Sequence, residues 1–470
     1  MKKLILLLLF IPLIFSCSSG SEEPPPPPIK YTLTTAANPT AGGTVTPASG
    51  QHNEDATVSI TATPAGEYLF SSWTGATGTT ATTSVVMNSN KTVTANFESI
   101  PPFYLDANGV TIKARDWVTA GTKGELDGET YTAVDLEMLK QMIDNYDNHD
   151  FSKVVTTLIT DMSEMVKMSF RFNADIGNWD VSNVTDMRQM FYFAHEFNQE
   201  IGNWDVGNVT DMSEMFLDAN NFNQDIGNWD VSNVTDMGSM FLFNDLFNQD
   251  ISSWDVSSVT NMGGMFSKLE SFNADIGSWD VSNVTNMAAM FSGAKSFNQD
   301  IGNWDVRNVK EIHSMFNKAK SFNQDISSWD VSSVTNMGGT FTDTDYFNQN
   351  IGSWDVSNVT NMAAMFSDAK SFNQDIGSWD VSNVKDMSGM FNGAQEFNQD
   401  IGNWDVSNVS MIQDGDVTGF DGMFFLTSSF SQDLSRWCVE KISNVPNYFA
   451  HESNYYNEKE KHPKWGESCD

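Results

Sequence analysis

Residues 201–225 read IGNWDVGNVTDMSEMFLDANNFNQD, and nearly the same 25 residues recur along most of the chain. One tryptophan marks each copy at a constant offset of 25 residues: Trp179, Trp204, Trp229, Trp254, Trp279, Trp304, Trp329, Trp354, Trp379 and Trp404. A fixed period of this length is typical of repeat architectures, in which each unit buries its apolar face against the next. The sequence therefore predicts a repeat solenoid over residues 151–437, whose last copy, at Trp437, carries an insertion.

Apolar residues fall at fixed offsets within each copy and predict its local structure. Trp204 and Val206 flank Asp205, so a short strand would direct the two apolar side chains inward and the carboxylate outward. Thr210 is placed to cap a short helical turn over residues 211–216. The spacing I-x-x-W-x-V-x-x-V is that of leucine-rich repeats. We therefore expect a leucine-rich-repeat-like solenoid of short strands and short helical turns, with tryptophan, valine, methionine and phenylalanine in its core.

The longer run F-N-Q-D-I-x-x-W-D-V-S-N-V-T-D-M-x-x-M-F resembles the BspA-like leucine-rich repeat of bacterial surface proteins. This repeat class was long catalogued as of unknown function. The resemblance covers roughly residues 150–437. It implies a cell-surface protein, since some relatives act as adhesins, and it supplies no catalytic residues.

The charge of the chain restricts its partners. Asp and Glu number 61 against 25 Lys and Arg, which gives a formal net charge of −36. Nucleic acids and anionic membrane surfaces both require a basic face, so this balance argues against either as a partner. Cations and cationic partners remain compatible with it.

The first residues predict export. Residues 1–16 combine Lys2 and Lys3 with an apolar run, as in a signal peptide, and the segment before Cys17 resembles a lipobox. Cys17 would then become the lipidated N-terminus and anchor the protein to the outer membrane or cell surface. An ordinary signal peptide is the alternative. Residues 17–29 form a Ser/Gly/Pro tether.

Residues 30–99 predict a small all-β module, because Thr- and Val-rich alternating runs are separated by Gly, Pro and Asn. Expected strands are Tyr31–Thr35, Gly43–Thr46, Ala56–Thr63, Tyr68–Trp73, Thr83–Met87 and Thr92–Phe97. The expected core is Val58, Ile60, Leu69, Trp73, Val85, Val93 and Phe97. The stretches GGTVTP and ATVSITATPAGEYLFSSWTG resemble the divergent internalin-type B-repeat, which implies a stalk or spacer.

Residues 101–150 are placed to cover the first repeat, whose apolar cross-section would otherwise meet water. Phe103–Ala114 predicts a hairpin, Gly124–Thr132 contains a second turn at Asp127-Gly128, and Val134–Asn145 has apolar residues at helical spacing. We interpret this segment as the N-terminal cap of the solenoid.

A ladder of aspartates is the candidate binding surface. In a leucine-rich geometry, the position between Trp and Val lies on the exposed, sheet-bearing face. Its members are Asp180, Asp205, Asp230, Asp255, Asp280, Asp305, Asp330, Asp355, Asp380 and Asp405. Like charges at strand spacing repel. Local hydrogen bonds, as in Asx turns, would offset this repulsion, and so would divalent cations or a cationic partner.

Two copies depart from the pattern. In one copy, the usual residues are replaced by Arg307, Lys310, Glu311, Ile312 and His313. This departure marks either a contact site or sequence drift. The insertion in the last copy contains Asp414, Asp416 and Asp421, whose closely spaced oxygens suggest a calcium loop without the full EF-hand pattern. Calcium is the only cofactor that the sequence suggests.

Residues 438–470 predict a C-terminal cap. Cys438 and Cys469 lie 31 positions apart in a chain expected to be exported, so a disulfide would fasten this tail over the last repeat. Two free or metal-bound thiols are the alternative. The arrangement W-C-V…P…F…P-x-W-G-x-x-C resembles the terminal segment of other proteins with this repeat.

These patterns favour a non-enzymatic surface lipoprotein whose acidic solenoid mediates adhesion or protein–protein interaction with an extracellular protein or glycan. The alternatives are a carbohydrate-binding component of a surface uptake system and a purely structural display protein. Catalysis is disfavoured because no nucleophile–base pair, phosphate loop or metal triad is apparent. The histidines are scattered, at His52, His149, His195, His313, His451 and His462.

Overall fold

The computed structural model describes residues 23–412 and 417–469, and the chain divides into two compact units at Ile100 and Pro101. The expected signal peptide, Cys17, Asp414 and Asp416 lie outside the described residues. Within those residues, no helix combines the length and the apolar character needed to cross a membrane.

The first unit consists of two β-sheets. Its strands are β1 Lys30–Asn38, β2 Gly43–Thr46, β3 Gly50–Asn53, β4 Thr57–Pro64, β5 Tyr68–Thr74, β6 Thr82–Val86 and β7 Lys91–Ser99. One sheet has the order β3-β1-β7-β5 and the other β2-β4-β6. Strands β1 and β7 pair in parallel, and the remaining pairs are antiparallel. Buried side chains from both sheets form one core, which includes Leu33, Ile60 and Val93. The prediction of a small β module is confirmed.

The predicted core position of Leu69 is wrong, because its side chain is 58% exposed. Strict alternation along β5 would place Leu69 and Trp73 on the same face. A β-bulge between Phe70 and Ser72 shifts the register, so Trp73 faces the core together with Phe70 while Leu69 faces solvent.

The second unit begins with the segment expected to cap the repeats. Its strands and helix are β8 Phe103–Leu105, β9 Ile112–Ala114, β10 Lys123–Leu126, β11 Glu129–Ala133, α1 Leu136–Ile143 and β12 Val154–Val155. Both predicted hairpins and the predicted helix are present. Asp135 caps α1 by accepting a hydrogen bond from the backbone N–H of Met138 at 2.9 Å. The buried face of α1, Leu139 and Ile143, joins the same core as the first repeats.

The predicted strands and helical turns within each copy are wrong. The repeats are built from turns, such as those closed by Trp204 N to Ile201 O and by Met215 N to Met212 O, and single-residue parallel bridges join Asp211 to its counterparts in the neighbouring copies. Glu214 has φ +56°, which a right-handed helix excludes. Thr210 does not cap a helix, because its hydroxyl donates to Thr185 O in the preceding copy.

Hydrogen bonds between copies explain this backbone. Alternate N–H groups from Met212 to Asp218 donate to carbonyls 24 residues further on, such as Met212 N to Asp236 O and Glu214 N to Gly238 O. The intervening N–H groups close turns within the copy. A helix beginning at residue 211 would need the later donors, such as Phe216 N, for its own i to i−4 bonds, but Phe216 N donates to Met240 O in the next copy.

The predicted inward position of the tryptophans is confirmed. They are 0–4% exposed and form a periodic buried aromatic ladder, in which Trp179 and Trp204 stack with ring centroids 6.5 Å apart and planes 2° from parallel. The indole Nε1 of Trp204 donates to Ile176 O in the preceding copy at 3.2 Å. Phenylalanines form a second ladder beside it, for example Phe216 and Phe241 at 5.6 Å. One continuous core runs from Val134 to Tyr455.

The final segment closes this core. Two short strands, β13 Met411–Ile412 and β14 Val417–Thr418, pair in antiparallel fashion, and 3-10 helices occupy Asn454–Asn457 and Lys459–Lys461. The structure contains a disulfide between Cys438 and Cys469. Tyr455 is fully buried and packs edge-on against Phe424 and Phe430 of the last copy.

Candidate functional site

The carboxylates of the aspartate ladder accept hydrogen bonds in Asx turns. In copy after copy, one carboxylate oxygen accepts a hydrogen bond from the backbone N–H two residues on, as from Ser232 to Asp230 at 3.1 Å, and the Ser232 hydroxyl adds a bond of 2.6 Å. The same backbone bond serves Asp205, Asp255, Asp280, Asp305, Asp330, Asp355, Asp380 and Asp405. The local explanation for the ladder is therefore the one that the structure supports.

These bonds also affect the ladder's ionisation. Hydrogen bonds to the serine two residues on, first from its hydroxyl and then from its backbone N–H, lower the pKa of four carboxyls: Asp255, Asp280, Asp330 and Asp380. A lowered pKa means that the folded chain favours the charged form. The ladder carboxylates thus serve the fold itself, which weakens their case as a dedicated binding site.

Two expectations about the position of this ladder are wrong. The bridges between copies run through Asp211 and its counterparts, so Asp205 does not lie on a sheet-bearing face. Asp180 is not exposed: it is 1% accessible, whereas most ladder members are open to solvent. The hairpin β8–β9 covers it, since Ile112 N donates to Asn178 O at 3.0 Å.

A second polar ladder holds the copies together. The side-chain oxygen of Asn198 accepts hydrogen bonds from Asn223 N at 3.1 Å and from Gln224 Nε2 at 2.8 Å, both in the next copy. The same backbone contact recurs at Asn223, Asn248, Asn273 and Asn298. These asparagines therefore have a structural role, since each joins one copy to the next.

Variation among the copies is concentrated on a different surface. Between the methionines of M-x-x-M-F, nine successive copies from residue 188 to residue 389 carry RQ, SE, GS, GG, AA, HS, GG, AA and SG. The residues between the next two phenylalanines vary as well. We call these two sets of positions the variable face. Its exposed aromatic and apolar side chains include Phe170, Phe243, Leu246 and Tyr346.

An open groove of about 620 Å³ lies on the variable face. Its smallest lining residues are Gly238, Gly263, Gly264, Ala288 and Ala289, and the flanking copies contribute Ser213, Glu214, Glu311 and His313. A Cβ atom added at Gly238 or Gly263 would come within 2.7 Å of an asparagine amide nitrogen in the next copy. A side chain at either position would have to displace that amide, and the absence of one leaves the surface depressed there.

The groove is polar and mainly acidic. Its ionisable lining residues are Glu214, Asp236, Glu311 and His313, and His313 contacts Glu311 at 3.2 Å. A relay of amides orients Asp236, because Asn286 Nδ2 donates to Asn261 Oδ1 at 2.9 Å and Asn261 Nδ2 donates to Asp236 at 3.0 Å. This arrangement would suit an extended cationic segment.

Part of this groove belongs to the copy whose sequence departs from the pattern, although the pattern does not predict a groove. Glu311 and His313 belong to the copy that departs from the pattern, and both line the groove. Arg307 of the same copy instead pairs with Asp305 at 2.8 Å, and Ile312 is buried in the position of a methionine. The small floor residues were visible as variation between the methionines, but only the register of the copies places them side by side.

The candidate calcium loop is only partly described. Asp421 accepts a hydrogen bond from the Thr418 hydroxyl at 2.7 Å and contacts Asn447, so it is engaged in local structure. Across residues 23–412 and 417–469, no group of three or more His, Cys, Asp or Glu side chains is arranged to hold a metal ion.

The fold and this surface define a repeat protein whose interior and hydrogen-bonded exterior are nearly the same in every copy, with variation concentrated on one face. The chain belongs to the family described as "Mycoplasma protein of unknown function, DUF285", which matches residues 136–244, 240–346, 321–416 and 413–466. Residues 33–101 match the "Divergent InlB B-repeat domain", which confirms the resemblance seen in the first unit. No curated protein and no solved structure matches significantly.

Proposed function

We propose that this protein is a non-catalytic surface protein whose repeat region forms a BspA-like solenoid and binds an extracellular protein or glycan through its variable face. The observation that carries the proposal is the concentration of variation on that face. The remaining surface repeats the same hydrogen bonds in almost every copy, which serves stability alone. Repeat proteins commonly bind through the one face on which their units differ.

The chemistry of the groove favours a basic partner. Three of its four ionisable lining residues are carboxylates, and its shallow floor is formed by glycine and alanine, so an extended segment bearing lysine or arginine fits it best. The net charge of −36 would also attract such a partner over long range at low salt.

The N-terminal sequence supports display outside the cell. We propose that Cys17 carries a lipid that anchors the protein to the outer membrane, with the tether and the B-repeat module serving as a stalk. In this arrangement the repeats are presented to the extracellular medium.

A binding screen with matched variants tests the role of the groove. The purified protein is screened against extracellular matrix proteins and glycans, and each hit is retested with the double variant Glu214→Lys, Glu311→Lys. We expect binding to fall by about tenfold or more, because two charges at the groove reverse sign.

The control is Glu200→Lys, an exposed charge reversal outside the variable face, which should leave binding within about twofold. A partner that binds the groove variant normally but is lost after substitution of Asp355 and Asp380 would assign binding to the aspartate ladder and overturn the proposal.

Carbohydrate binding as part of a surface uptake system is the second candidate. The tryptophans are buried, but Phe170, Phe243 and Tyr346 expose aromatic rings on the variable face, and Phe170 packs against His195 with centroids 5.0 Å apart. A glycan hit that is lost with Phe170→Ala and Phe243→Ala, and not with the groove variant, would favour this function. A third candidate, pure structural display, predicts no hit at all.

A further inference from the structure

The C-terminal cap contains a cavity that the proposed function does not use. It has a volume of about 430 Å³, within the range of small-molecule sites. Phe449, Ala450 and Pro463 are buried at its base, His462 and Trp465 are half-buried, and four exposed residues complete the lining: Val445, His451, Tyr456 and Lys459. Aromatic and imidazole rings thus surround much of the space.

The charge of this cavity is opposite to that of the chain as a whole. Lys459 is its one Lys or Arg side chain, His451 and His462 add imidazoles, and no Asp or Glu is among the described residues that line it. Over the whole sequence, by contrast, Asp and Glu outnumber Lys and Arg by 61 to 25. A cavity of this composition selects an anion against the surrounding negative field.

The cavity is held in place before any ligand binds. His462 Nε2 donates to Tyr455 O at 2.9 Å, which places a proton on that nitrogen and leaves Nδ1 free of this bond. Tyr455 stacks on His462 at 4.5 Å and donates its hydroxyl to Lys461 O at 2.6 Å. Phe449 meets Trp465 edge-on at 5.0 Å. Such support reduces the entropy lost on binding.

We propose that this cavity binds a small ring-bearing carboxylate. The Lys459 ammonium pairs with the carboxylate, the imidazole of His451 offers a further donor, and the rings of Tyr456 and Trp465 pack against the ligand ring. Sugar acids and aromatic acids share this chemistry. The site is separate from the groove, so either one can fail without the other.

Calorimetric titration of the purified full-length chain tests the proposal, with glucuronate, benzoate and glucose as probes. We expect at least one of the two acids to bind and glucose not to bind. Lys459→Ala should weaken binding by about ten- to a hundredfold, the equivalent of one charge-assisted hydrogen bond. Binding of glucuronate alone assigns a sugar acid, and binding of benzoate alone an aromatic acid.

Lys464→Ala is the matched control, because it removes the same charge from a residue that does not line the cavity. Unfolding midpoints of both variants verify that they fold. The proposal is overturned if neither acid binds up to about 10 mM, if glucose binds equally well, or if the two lysine variants behave alike.

Discussion

At the residue scale, the polar side chain of Asn244 is poorly matched to its buried surroundings. It is fully buried in a position that is alanine in most copies, such as Ala219 and Ala294. Neither its amide nitrogen nor its amide oxygen has a hydrogen-bond partner among the described residues. A buried polar group without a partner loses its hydration and gains nothing in return.

Asn244→Ala should therefore stabilise the repeat region by about 1 kcal/mol, since it removes the unpaired amide and restores the residue that most copies use. The midpoint of urea unfolding measures the effect. Asn228→Ala, at an exposed position, is the control and should change stability by no more than about 0.5 kcal/mol. A loss of stability in Asn244→Ala would show that the amide is satisfied by a buried water molecule.

At the scale of the element, the bridges between copies form a ladder whose first members are all acidic. Asp161, Asp186, Asp211 and Asp236 are consecutive partners, whereas Asn261 and Asn286 continue the ladder with amides that donate to the preceding copy. Burial, and then the charges of Asp211 and Asp161, raise the pKa of Asp186 above its ordinary value. Repulsion between neighbouring carboxylates thus destabilises the first members of the ladder, and the amide pair Asn261 and Asn286 avoids it.

Asp186→Asn should stabilise the protein at pH 7 by about 0.5 kcal/mol, the size of a cross-strand like-charge repulsion. Because the folded pKa of Asp186 lies above the unfolded value, its ionisation destabilises the fold at neutral pH, and this cost disappears as the pH falls through the folded pKa. The advantage of the variant should therefore vanish near pH ~3, which urea unfolding at the two pH values measures.

Asp380→Asn provides the matched contrast. The pKa of Asp380 is lowered by hydrogen bonds to Ser382, so its ionisation stabilises the fold above the ordinary pKa, and that contribution is lost as the pH falls. This variant should be less stable than the wild type at pH 7. Shifts in the same direction for both aspartates would contradict the assignment.

At the scale of the whole molecule, repulsion between like charges opposes the stability that the regular core provides. The core of the second unit is continuous from Val134 to Tyr455, while the chain carries a net charge of −36. The ladder aspartates satisfy one oxygen locally, but the long-range repulsion among all carboxylates remains. Screening by salt should reduce this repulsion, whatever the identity of the cation.

Raising NaCl from about 20 mM to about 200 mM should therefore increase the melting temperature of the repeat region. Calcium chloride at matched ionic strength should give a similar increase, because the ladder carboxylates are already engaged in Asx turns. Thermal unfolding by circular dichroism measures both. If calcium raised the melting temperature clearly more than sodium did, and a chelator reversed the difference, a specific calcium site would be present.

The 25-residue period alone determined the repeat organisation, the buried tryptophans and the outward aspartates, because identical offsets report which side chains avoid water. The hairpins at Phe103–Ala114 and Lys123–Ala133 were equally readable, since their turns are specified by neighbouring residues. These features depend on the local chain and on hydrophobic pattern.

Tertiary contacts decided the rest. Hydrogen bonds to the next copy replaced the expected helix with turns around Glu214, the hairpin β8–β9 buried Asp180, and a bulge turned Leu69 outward. The groove exists because residues 25 positions apart lie side by side, and the cap cavity because the chain folds back after Trp437. A periodic pattern specifies which side of the chain is inside, but partners distant in sequence select the backbone that satisfies it.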